Sequence, residues 1–110
     1  MDLKNATEFD RVVTHLLTVL AESFPKPIDL DFQVIGLADG PAHETKNYSS
    51  VDTEHTPKHE FAAQCVSFLM SEGYVSGTPH PTWARYVLLT AKGLELINAV
   101  PDSLLRGTHS

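Results

Sequence analysis

The stretch from Thr56 to Pro101 constrains this chain most, because two helical segments there enclose two short extended ones with almost no spacer. Thr56 is a good N-cap, Pro57 takes the first helical position where its missing N–H costs nothing, and Gly73 ends the helix. Within residues 57–72, Phe61, Cys65, Phe68, Leu69 and Glu72 fall on one side, with Ala62, Val66 and Met70 flanking. Lys58, Gln64, Ser67 and Ser71 are expected to point outward. Tyr74-Val75-Ser76 then reads as a strand, "GTPHP" is a run of breakers, and the β-rich "TWARYVLL" returns antiparallel, so residues 74–89 form a hairpin. Thr90 caps a last helix over 91–99 that Pro101 closes. Gly93 lies in its first turn, where glycine costs stability, and a close approach by neighbouring backbone would account for it.

The other strong helix is residues 7–24, where Phe9, Val12, Val13, Leu16, Leu17, Leu20 and Phe24 trace one buried face. Asn5 or Thr7 can cap it, and Arg11, His15, Thr18 and Glu22 form its solvated face before Pro25 and Pro27 stop it. Ile28 and Leu30 suggest a short extended piece. Asp31 can cap one helical turn over Phe32–Ile35, ended by Gly36. Residues 38–55 show no periodicity and many turn formers, so they read as a loop turning at Asp39-Gly40. Residues 101–110 read as a C-terminal tail with a short capped turn.

Charge is unevenly placed. Residues 29–60 hold seven acids against Lys46 and Lys58, a net of −5, whereas the whole chain carries −6. A segment of this kind suits neither phosphate nor an anionic membrane, and its acids with little burial predict a mobile acidic loop at 38–55. Cys65 is the only cysteine, which precludes an internal disulfide and fits a reducing, cytoplasmic setting. The start has no basic region leading into an apolar one, so no signal peptide is expected, and no apolar run approaches the roughly 18 residues a membrane span needs.

"FLMSEGYV" and "YVLLTAKGLELI" resemble the winged helix-turn-helix superfamily, and in particular the end of many small bacterial and phage winged-helix proteins. The resemblance implies a single α+β winged-helix domain over 1–110, with three main helices, the hairpin as its wing, and the closing helix packed across the first. It also implies that the helix at 57–72 is the element that would enter a DNA major groove. This chain departs from the pattern in two ways. Residues 38–55 stand where the motif has a turn of about 3–4 residues, and the long helix is preceded by Asp52 and Glu54 and includes Glu60.

The candidate contact residues for nucleic acid or a protein partner are Lys58, His59, Gln64 and Ser67 on the long helix and Arg85 on the wing. Trp83 and Tyr86 either stack on bases or pack the hairpin onto the core or a partner, the packing role being the cheaper one. Leu104 and Leu105 either dock on the core or join a homodimer contact.

No catalytic, cofactor or metal residue is assigned. His55 and His59 are four apart, but Pro57 puts His55 outside the helix, so one helix cannot carry both as ligands. Cys65 has the neighbours of a small buried hydrophobe rather than a nucleophile. Asp29 and Asp31 are better explained by solvation and by capping than as an acid–base pair. The expected function is that of a non-enzymatic interaction or regulatory module binding protein, itself included. The alternative is a DNA-binding transcriptional regulator using residues 57–72 and 74–89.

Overall fold

The computed structural model describes residues 2–105 as an α+β domain of three helices and two small antiparallel sheets. The elements in order are α1 (Ala6–Ser23), β1 (Ile28–Leu30), β2 (His43–Lys46), β3 (Ser49–Asp52), α2 (Thr56–Ser71), β4 (Val75–Pro79), β5 (Ala84–Leu89) and α3 (Ala91–Leu96), followed by a 3-10 turn at Asp102–Leu104. One sheet has the order β1-β5-β4; β2 and β3 form the other alone.

The core lies where α1, α2 and the three-stranded sheet converge. α1 contributes Val12, Leu16, Leu17 and Leu20, and α2 contributes Ala62, Val66 and Leu69. The sheet and its flanks add Leu30, Phe32, Val75, Val87, Leu89 and Leu94. Such sites are close-packed, so truncating one to alanine loses both transfer free energy and contacts, about 2–5 kcal/mol.

Helix ends follow local chemistry. Gly73 (φ +80°) ends α2 in a left-handed cap, with Gly73 N–H donating to the Met70 carbonyl and Tyr74 N–H to that of Leu69. Thr90 caps α3 by accepting from Gly93 N–H at 3.1 Å. A Cβ on Gly93 would collide with the Tyr74 carbonyl oxygen, which is the close approach its presence suggested. Asp31 accepts the N–H groups of Gln33 and Val34, and Gly36 (φ +84°) closes that turn as expected.

Several expectations need correcting. α3 stops at Leu96 rather than 99, because Asn98 takes the left-handed cap position (φ +55°) and Ala99 N–H returns to the Leu94 carbonyl. Thr56 does not cap α2 with its side chain; its hydroxyl donates to the Ala42 carbonyl and accepts from Thr53 N–H. Residues 38–55 are not a structureless loop, since they contain the β2–β3 hairpin. Asn47 and Tyr48 (φ +49° and +64°) form its two-residue turn, and both left-handed residues match the twist of the strands they join.

β5 carries a bulge. Ser76 pairs with Leu88 and Thr78 with Arg85, so Gly77 alone opposes Tyr86 and Val87. Any Cβ at Gly77 would stand 2.8 Å from the Arg85 carbonyl oxygen. On the other side the Asp29 carboxylate accepts Tyr86 N–H at 2.9 Å, so Asp29 is not merely solvated.

Candidate functional site

The five candidate contact residues do not form one surface. His59, a candidate contact, is 3% exposed and its Nε2–H donates to the Gly40 carbonyl at 2.8 Å, so it holds the segment before β2 and is closed to a partner. The buried side of α2 runs through His59, Ala62, Val66 and Leu69. Its outward side is therefore Glu60, Gln64, Phe68 and Ser71, with Ser67 half-buried at its edge. Phe68, expected inside, is 50% exposed and meets Phe9 edge to face at 5.8 Å. Glu72, placed on the apolar side, is exposed.

Lys58 is exposed but, by the 100° advance per residue of a helix, lies about 120° around α2 from Gln64. It borders a cleft with Glu8, Val12, Leu37 and Phe61. Gln64 borders a different cleft of about 300 Å³, whose walls include Leu3, Phe9, Phe61, Cys65 and Phe68. The outward face of α2 thus carries one acid, one amide, a serine and a half-exposed aromatic ring, and no base.

Asp29 holds the bulge, Asp31 caps its turn, and Glu8 pairs with Arg11 at 2.6 Å. That hydrogen-bonded guanidinium lowers the Glu8 pKa, and the carboxylate raises that of Arg11. Cys65 is buried, and loss of solvation, with Glu8 nearby, pushes its thiol up to about 11, so it is protonated at neutral pH. His43 approaches Asp52 at 3.3 Å and His55 approaches Glu54 at 3.5 Å. Among the described residues no three His, Cys, Asp or Glu side chains gather as a metal would need.

The β4–β5 hairpin is where aromatic and cationic groups collect. His80 and Trp83 stack at 4.1 Å with rings 4° apart, and the Arg85 guanidinium sits 5.1 Å over the Tyr86 ring. Trp83 and Tyr86 are 39% and 60% exposed, so neither is packed into the core. Lys92 stands 4.5 Å over the Tyr74 ring and donates to the Glu72 carbonyl. This grouping was legible only in part, because a stacked His80 is announced by nothing but its place in the turn.

Leu104 and Leu105 are exposed beyond α3. Leu17, Ala21, Ile97 and Ala99 border an open cleft of about 580 Å³ between α1 and the chain that follows α3. Among the described residues no helix is long and apolar enough to cross a membrane. No protein-family model, curated protein sequence or solved structure matches the chain.

Proposed function

We propose that this chain is a winged-helix interaction module of the cytoplasm, non-enzymatic, that binds protein and associates with itself. The sheet order β1-β5-β4, with the hairpin after α2 as wing and α3 closing the domain, supports the fold. The outward face of α2 carries the functional argument. In a DNA reader that face meets phosphates and base edges, whereas here it holds Glu60, Gln64, Phe68 and Ser71 and follows the acids Asp52 and Glu54. An exposed phenylalanine beside an apolar cleft suits a protein surface better than a polyanion. Leu104 and Leu105 are the candidate self-contact at the other end of the chain.

The exposed Arg85, Trp83 and Tyr86 favour the second reading, a DNA-binding regulator, and one titration separates the two. With Lys58 and Arg85 from each of two subunits, roughly four phosphates are contacted, so the log–log salt slope is no steeper than about −4. No shift of random duplex is expected at micromolar protein and physiological salt. Tight binding with a steep slope would put the regulator first. So would enrichment of a motif from a random duplex pool that Lys58→Ala and Gln64→Ala abolish.

A further inference from the structure

The hydrogen-bond parity of the β2–β3 hairpin leaves one strand edge open. Its turn has two residues, so the closing pair, Lys46 and Ser49, exchanges backbone hydrogen bonds, and the next pair to do so is Glu44 with Val51. Thr45 and His43 alternate with them, opposite Ser50 and Asp52, at positions that exchange none. The approach of His43 to Asp52 at 3.3 Å fits this parity, since side chains stand closer in such pairs. The N–H and C=O groups of His43 and Thr45 therefore point away from β3. Among the described residues no further strand joins this sheet and nothing hydrogen-bonds to those groups. All four residues of β2 are exposed.

An open edge is a template for another strand, and charge ordinarily guards it. On β2 the charge is self-complementary. Glu44 and Lys46 are two apart and so share a face, and among the described residues neither makes an ion pair. Two antiparallel copies of β2 crossing at Thr45 set Glu44 of each opposite Lys46 of the other. The same register sets Thr45 against Thr45, where the outward N–H and C=O groups exchange two hydrogen bonds. Glu44 and Lys46 then occupy the closer, non-bonded positions of the new ladder, where opposite charges meet best. Asp52 lies on the far strand and the other face, outside the contact. The outer edge of β3 offers no such match. Crossing at Ser50, whose groups also point outward, sets Val51 against Ser49 and Asp52 against Tyr48.

We propose that two copies of this chain pair edge to edge about a two-fold axis at Thr45, joining their hairpins into one antiparallel sheet of order β3-β2-β2-β3 held by two Glu44–Lys46 ion pairs. This deepens the self-association proposed above and rests on it. The occupant is a second copy because β2 carries both halves of the contact, as a two-fold axis requires. Four strands also supply what two lack, since an isolated two-stranded hairpin is marginally stable in water. The edge is only one four-residue strand, so the contact falls below the roughly 1,200 Å² of a standard interface, and the pairing is weak and concentration-dependent.

Sedimentation equilibrium of the full chain from micromolar to millimolar concentration, with amide exchange measured at both ends of that range, tests the pairing. A dimer is expected at the upper end, where the Thr45 amide exchanges more slowly than at the lower. Glu44→Lys and Lys46→Glu each weaken it by about tenfold or more, because each turns both ion pairs into like-charge contacts. A mixture of the two variants pairs as the parent does, and the double exchange Glu44→Lys/Lys46→Glu pairs with itself. Thr45→Pro removes the N–H at the axis but no bond of the β2–β3 ladder, so it leaves a monomer with unchanged far-UV circular dichroism. A dimer that survives Thr45→Pro and both single charge reversals, or is lost only on Leu104→Asp, overturns the edge pairing and leaves self-association standing. A monomer at every concentration overturns the pairing together with the self-association it rests on.

Discussion

The two hairpins of this domain are close in size and opposite in how they are held. β4–β5 is anchored by β1 on one edge and by Val75, Ala84, Val87 and Leu89 in the core. Among the described residues no third strand joins β2–β3 and none of its strand residues is fully buried; it is pinned at its base, where Thr53 donates to the Pro41 carbonyl at 2.6 Å and Thr56 to that of Ala42. Burial maintains the first, turn geometry and a few side-chain bonds the second. A strand built without burial leaves no hydrophobic pattern to read.

The largest expected difference is in hydrogen exchange. Amides of Val87 and Leu89 should open only with global unfolding, at about 5 kcal/mol or more, and those of β2 and β3 close to zero. Limited proteolysis of dilute protein should cut within residues 38–55 first. Equal protection of both hairpins, or cuts at the termini alone, would mean that the second hairpin is docked.

Next in size is core truncation. Leu89→Ala should cost about 2–5 kcal/mol in urea unfolding, whereas Val51→Ala in β3 should stay within about 0.5 kcal/mol. Similar losses at the two sites would erase the distinction. Gly93→Ala forces α3 off the Tyr74 carbonyl and should cost about 1–3 kcal/mol, seen as a lower urea midpoint with unchanged slope. The smallest effect is at the hairpin tip. Tyr48→Gly relieves a left-handed tyrosine and should raise stability by at most about 1 kcal/mol, visible as slower exchange in β2 and β3. A loss of protection there instead would show that the ring itself holds the turn.

α1, β1, the turn after Asp31 and the reason for Gly93 were legible because each depends on residues close in sequence and on one strong signal. The helical phase of α2 was misjudged for a physical reason. Phe61 and Phe68 dominate any apolar count, yet their rings lie at the rim of the core, while the packed side uses small Ala62 and Ala63 and the polar His59. A histidine inside a core shows itself only through its acceptor, and the Gly40 carbonyl is nineteen residues away. The β2–β3 turn escaped because its second residue is tyrosine where glycine is the usual signal. Of the candidate contacts, exposure on the β4–β5 hairpin was anticipated at Arg85, but its alignment over Tyr86 depends on a bulge that residue order does not reveal.

That bulge acts as a change of parity. A regular strand sends alternate side chains to opposite faces, which would place Tyr86 with Ala84 inside and turn Val87 outward. The extra residue resets the count, so Ala84 and Val87, three apart, both face the core and the two residues between them both face out. Adjacent positions that a flat strand would separate become one exposed unit of guanidinium and phenol. Deleting Tyr86 would restore plain alternation, keep Ala84, Val87 and Leu89 inside, and leave Arg85 alone where the bulge now presents a pair.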